Sequence, residues 1–321
     1  MKKVKNTRKT KATTVKPVVK TPVVENNNSW SWTIYMYWFI ILFFIASTFY
    51  ILGRSHEFFH PAQHNVIVTE EVLQQSEDYI NAAKVKLSAG NIEEAIEELN
   101  SAIDADAASN TYVLRGEAYM QLGEYQKALA DFDSAIEKDS MNAVAFYDRS
   151  LLNTRLENYE AALSDINNAL AAQSMKPSDV LSMRNLYAKR GQLNLWLKNW
   201  QGAIADYTNS LARAEGSISA SVYAERAEAY TAMGEYQKAI DDYTSAVRVI
   251  SEQIQGSQSQ AERESQSSNA MSYFEKSAAL NLKLGNDVAA RNDLESAFAI
   301  AVALNDEEST ARIQNLINGL E

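Results

Sequence analysis

From residue 76 onward apolar side chains recur three and four positions apart, in blocks separated by short polar turns, the spacing of one face of an α-helix. The segments KLSAGNIEEAI, MQLGEYQKALA, TRLENYEAALS, LWLKNWQGAIA, TAMGEYQKAID and LKLGNDVAARN each join two such blocks. Gly90, Gly123, Glu157, Lys198, Gly234 and Gly285 occupy the same place in each turn, at successive spacings of 33, 34, 41, 36 and 51. The pattern predicts about six helix–turn–helix units over residues 76–305. Residues 306–321 continue it, with Ile313, Leu316, Ile317 and Leu320 on one face, and are expected to form a helix that caps the last unit. A different pattern occupies residues 30–52, which are 23 uncharged residues with Trp30, Trp32 and Tyr50 near the ends. As a helix this stretch would run about 35 Å, enough to cross a hydrocarbon core of about 30 Å.

Within each unit the residue sizes repeat. An aromatic side chain stands near the start of the first helix (Tyr79, Tyr112, Phe146, Tyr187, Tyr223, Phe274), and four residues on comes a small one (Ala83, Gly116, Ser150, Gly191, Ala227, Ala278). The second helix places Ala95, Ala128, Ala162, Ala203, Ala239 and Ala290 in one column, and Leu99, Phe132, Ile166, Tyr207, Tyr243 and Leu294 four positions later. Three further on, Ala102, Ala135, Ala169, Ser210, Ala246 and Ala297 are small again. Small residues let helix axes approach, and the bulky ones fill the grooves between them. These columns, at a period of roughly 34 residues, resemble the tetratricopeptide repeat family over about three quarters of the chain. The resemblance implies an all-α, right-handed solenoid whose first helices line a concave groove that receives extended peptides or short helices.

The chain departs from the family pattern in places. Ser140 and Ser174 stand where a proline often closes a unit, and Asp287 replaces the large apolar residue that opens the second helix elsewhere (Ile92, Tyr125, Tyr159, Trp200, Tyr236). The last repeat therefore reads as a degenerate cap. In repeats two to five Arg115, Arg149, Arg190 and Arg226 precede the small residue, each followed after sixteen positions by Asp131, Asp165, Asp206 or Asp242. Two readings arise, a row that binds anions or an internal ladder of ion pairs. Because every Arg has its own acid, the ladder is expected. Two insertions interrupt the array, one near 173–180 with Pro177 and one over 251–269 that is rich in Gln and Ser. The second is expected to be a solvated loop or a pair of helix extensions.

Charge divides the chain. Residues 1–29 carry eight Lys or Arg and one Glu, a net +7, while everything after residue 52 sums to −18. The basic tail, with Pro17, Pro22 and an Asn run, is expected to be disordered and to stay in the cytoplasm, since only Arg54 lies in the 20 residues after the apolar stretch. Residues 53–75 are read as a juxtamembrane linker, and the acidic repeats would lie across the membrane, in the periplasm of a bacterium. Such an acidic domain argues against nucleic-acid binding. His56, His60 and His64 fall four apart but Pro61 interrupts them, so no metal site is expected. With no Cys and no His after residue 64, and no Gly-rich loop before a helix, the chain is not expected to be an enzyme or to carry a cofactor.

By register, Val113, Glu117, Met120, Tyr147, Leu151, Arg155, Ala188, Gln192, Trp196 and Glu228 face the groove. They are the expected peptide-binding residues, with Tyr147, Leu151 and Trp196 as apolar anchors and Glu117 and Arg155 setting orientation. The Lys and Asn set with which some family members hold a C-terminal carboxylate is missing, since Ile80 and Lys84, Val113 and Glu117, Tyr147 and Leu151, and Ala188 and Gln192 stand there. The expectation is a single-pass membrane scaffold that binds a partner protein, in assembly of a bacterial envelope complex. The alternatives are an organelle-surface receptor of the protein-import kind with cytosolic repeats, and a structural element that self-associates.

Overall fold

The computed structural model describes residues 69–177, 181–213, 219–257 and 259–320, and the chain divides into Met1–Ile67 and Val68–Glu321. The expected basic tail, the apolar stretch at 30–52 and the three histidines therefore lie outside the described residues. Among the described residues no helix is long and apolar enough to cross a membrane.

Among its described residues the second unit contains thirteen helices and no strand. They pair as α1 (Glu70–Ser88) with α2 (Ile92–Ala105), α3 (Ser109–Leu122) with α4 (Tyr125–Lys138), and α5 (Ala143–Arg155) with α6 (Tyr159–Met175). The series continues as α7 (Met183–Trp196) with α8 (Trp200–Ala212), α9 (Ala220–Ala232) with α10 (Tyr236–Gly256), and α11 (Gln260–Lys283) with α12 (Asp287–Ala303). The closing helix α13 (Glu307–Asn318) seats Ile313 and Ile317 on the core that Leu294, Ala297 and Ala301 would otherwise expose, as expected for a cap. First helices of adjoining repeats touch, α3 with α5 and α7 with α9, which puts them on the inside of the curve.

One boundary differs from expectation, and the Gln/Ser-rich insertion takes the second of its two expected forms, a pair of helix extensions. Helix α1 begins at Glu70, inside the stretch read as linker, because the Thr69 hydroxyl accepts from the Val72 N–H and Glu70 and Glu71 sit favourably at the positive helix end. The Gln/Ser-rich insertion is helical, with α10 running 21 residues and α11 24 residues. Between them Ser259 accepts from the Glu262 N–H, and Val249, Ile250, Ala270 and Met271 bury the roots of the two extensions.

The turn positions explain the spacing. Gly90, Gly123, Gly234 and Gly285 all have φ between 75° and 82°, and Glu157 and Lys198 adopt the same left-handed conformation at 61° and 59°. In every hairpin the next amide reaches back five residues, for example Glu124 N to Tyr119 O at 2.9 Å and Asn158 N to Asn153 O at 2.8 Å, which satisfies a carbonyl at the helix end. Asn305, at φ 55°, makes the same turn before α13. A side chain in this conformation costs about 1–2 kcal/mol, so Glu157→Gly should stabilise the domain by about 0.5–1 kcal/mol after the unfolded-state entropy of glycine is subtracted. Urea denaturation checks this, and no gain would mean that the Glu157 side chain compensates locally.

Ala83/Leu99, Gly116/Phe132, Ser150/Ile166, Gly191/Tyr207, Ala227/Tyr243 and Ala278/Leu294 are pairs of a small first-helix residue and a larger second-helix residue sixteen positions on, and each of these residues is buried. Glycine stands against the rings of Phe132 and Tyr207, where an added Cβ would lie 2.7 and 2.8 Å from ring carbons. Alanine or serine suffices opposite Leu99, Ile166 and Leu294. Ala227 faces Tyr243, whose ring stacks on Tyr273 with centroids 5.9 Å apart.

The Arg and Asp columns form the internal ladder. Arg115 Nη2 lies 2.7 Å from Asp131 Oδ1, Arg149 and Arg190 reach Asp165 and Asp206 at 2.6 Å, and Arg226 reaches Asp242 at 2.7 Å. Nη1 of each Arg also turns to the second helix of the preceding repeat, to Asn100, Asp133, Asn167 and Thr208. Each guanidinium further lies over the aromatic ring three residues before it, from Tyr112 to Tyr223, at 5.4–5.9 Å. One side chain thus pins three helices, and the anion-binding reading is set aside. At the two ends Lys86–Glu98, 2.8 Å, and Ser277–Asp293, 2.7 Å, replace the pair.

Candidate functional site

The first-helix face carries three recesses. A cavity of about 280 Å³ is lined by Tyr147 from α5, Arg184, Ala188, Lys189 and Gln192 from α7, and Ser221, Val222 and Glu225 from α9. A second, of about 330 Å³, shares Gln192, Ser221 and Glu225 with it and adds Trp196, Glu228, and Tyr273 and Lys276 from α11. The shared walls join the two into one trough across four first helices. A third cavity, of about 520 Å³, opens nearer the N-terminal end between Lys84, Val113, Glu117 and Val144, with Asp139, Asn142 and Lys176 from the loops.

Seven of the expected groove residues line these recesses: Val113, Glu117, Tyr147, Ala188, Gln192, Trp196 and Glu228. Val113 is mostly buried and shows only an edge, whereas Trp196 is 44% exposed, its ring 5.2 Å from that of Tyr159. Met120, Leu151 and Arg155 are not among the walls. Met120 packs against the cluster that holds Val113 and Phe132, because the end of α3 turns it toward the core. Arg155 lies over the Tyr125 ring at 5.3 Å, beside the second helix of the preceding repeat, and Leu151 is half-buried.

Register reasoning missed Lys189, Glu225, Tyr273 and Lys276. The Tyr207 hydroxyl donates to Glu225 Oε2 at 2.7 Å, and burial pushes the Glu225 carboxyl above the usual range. Burial likewise lowers Lys189, whose ammonium donates to Gln192 Oε1 at 3.0 Å and sits 5.6 Å from the Trp196 ring centre. Lys276 and Glu228 pair at 2.7 Å across the mouth. The spacing of 51 before the last repeat hid Tyr273 and Lys276, but Glu225 sits three residues before Glu228 on α9 and is visible in a helical projection. Among the described residues no group of three or more His, Cys, Asp or Glu is placed to hold a metal ion. The arrangement suits recognition: amides and hydroxyls for a peptide backbone, and aromatic edges for side chains.

Paired helices, left-handed turns and an inner face of first helices define a helical-repeat solenoid. Family models for the tetratricopeptide repeat match residues 80–143, 113–180 and 220–252, and these residues are repeats of that family. Among solved structures, pilF of Pseudomonas aeruginosa is 18% identical with a TM-score of 0.55, over 77% of this chain and 99% of its own. YrrB, described as a TPR protein with an unusual peptide-binding site, is 17% identical with a TM-score of 0.51, over 68% and 97%. PilW, described as a widely conserved type IV pilus biogenesis factor, is 16% identical with a TM-score of 0.51, over 74% and 98%. At these identities the likeness shows the fold alone. No curated protein sequence matches the chain.

Proposed function

We propose that this chain is a membrane-anchored scaffold that holds an extended segment of a partner protein in the first-helix groove. The observation that carries this reading is the trough from Tyr147 to Lys276, with the half-exposed Trp196 between polar Gln192 and the Glu228–Lys276 pair. Half-exposed aromatic side chains with polar neighbours are the usual anchors of a protein interface. The uncharged residues 30–52 and the +7 tail before them support a single span with the tail in the cytoplasm and the repeats on the other side. In a bacterium that side is the periplasm, and the partner belongs to an envelope complex.

A photo-crosslinking side chain at Tyr147 tests both parts, with exposed Gln126 on α4 as control. Tyr147→p-benzoylphenylalanine in the full-length chain should give a specific adduct that the Gln126 control does not, and the adduct's residence in the compartment opposite the tail would support the orientation. Adducts only from position 126, or only with a second copy of the chain, would overturn groove recognition in favour of a self-associating element. A cytosolic partner would reverse the topology and favour the import-type receptor.

A further inference from the structure

Every buried carboxylate of the ladder has a guanidinium, and one buried carboxylate on the groove side has none. Asp148 on α5 is 8% exposed, Oδ2 of its carboxylate has no hydrogen-bond partner, and its carboxyl lies beside that of Glu117 on α3. Among the described residues neither acid forms an ion pair with a Lys or Arg. Lys84, which lines the adjoining cavity from α1, pairs with neither, and Lys176 is taken by Asp139 at 3.0 Å. From α5 itself the Tyr147 phenol feels the acid, its pKa raised by burial and then by Asp148, while the neighbouring Arg149 is taken by Asp165 and Asp133. Two carboxyls in contact in a low-dielectric site cannot both ionise, so a proton is retained between them. Burial first, and the Glu117 charge second, push Asp148 up to about 8.

Val113 and Val144 lie one helical turn before Glu117 and Asp148 and form apolar walls of the 520 Å³ cavity, which Glu117 also lines. A long side chain entering there would lay an aliphatic stem between two valines and bring its charged end to the acid pair. The region after residue 52, net −18, attracts such a chain over distance. We propose that Glu117 and Asp148 form a pocket for one basic side chain, Lys or Arg, of the segment bound in the groove. The proposal rests on the groove reading and adds the chemistry of the ligand.

A random peptide library displayed on phage, selected against the full-length chain, tests it. The wild type should enrich peptides with Lys or Arg at one fixed position, and norleucine there should weaken binding about tenfold or more. Against Glu117→Gln/Asp148→Asn the enrichment should vanish. Because the arriving cation displaces a proton, wild-type affinity for a selected peptide should rise between about pH 6 and pH 8, and the double variant should be flat. If Asp148→Asn does not fold, judged by circular dichroism, Glu117→Gln alone carries the comparison, since its side chain is half-buried. Peptides that depend on Tyr147 and Trp196, tested as alanine variants, yet carry no basic position or ignore the acid variants would overturn the pocket and leave the groove standing. If no selected peptide responds to Tyr147 or Trp196, and none to the acid pair, groove and pocket both fail.

Discussion

Arg149→Met is expected to destabilise the repeat domain by about 3 kcal/mol. Asp165 is almost fully buried and receives Arg149 Nε at 3.1 Å and Nη2 at 2.6 Å. With the arginine gone, the carboxylate keeps only the Asn153 amide at 3.0 Å. Arg149→Met/Asp165→Asn should be less destabilised than the single variant, because the stranded charge is removed with the cation. Arg149 also holds Asp133 on the preceding repeat at 2.5 Å. In a one-dimensional array stability depends on such neighbour terms, so the urea transition should broaden as well as shift. An additive double variant would mean that the pair contributes through packing alone.

The ladder was legible because a sixteen-residue spacing is fixed by the geometry of one hairpin, two helices and their left-handed turn. The same holds for the turns, where Glu157 and Lys198 were found by register although neither is glycine. Contacts between repeats were less legible, since they depend on how far each repeat is rotated and raised relative to the last. The second anchor of each arginine, the meeting of Glu117 with Asp148, and the inward turn of Met120 all fall in that class. The insertion at 251–269 was ambiguous because Gln and Ser are close to neutral in helix propensity. Only the burial of Val249, Ile250, Ala270 and Met271 at its roots decides in favour of helix. The start of α1 was misread for a related reason, as the Thr69 cap and its two glutamates precede any apolar column.

Gly116→Ala should cost about 2–3 kcal/mol, although alanine is the better helix former by about 1 kcal/mol. The added Cβ would lie 2.7 Å from Phe132 Cε1 and 3.0 Å from two further ring carbons. That ring is fully buried in the cluster with Ala128 and Leu152, so it can give way only by displacing neighbours or leaving its rotamer. The other repeats indicate what rescues it, since Ala83 and Ala278 face Leu99 and Leu294 without strain. Gly116→Ala/Phe132→Leu should therefore be more stable than Gly116→Ala alone, with a coupling of about 1–2 kcal/mol between two positions that each lose stability when changed singly. For a domain of this size each kcal/mol moves the melting temperature by roughly 2–4 °C, so thermal scans of the four proteins resolve the cycle. Additive losses would mean that the ring relaxes independently and that the sixteen-residue size match is not what sets the spacing of α3 and α4. A measured coupling would make the match the rule for α3 and α4: at that inter-axial distance glycine admits the Phe132 ring, where alanine calls for a side chain the size of leucine.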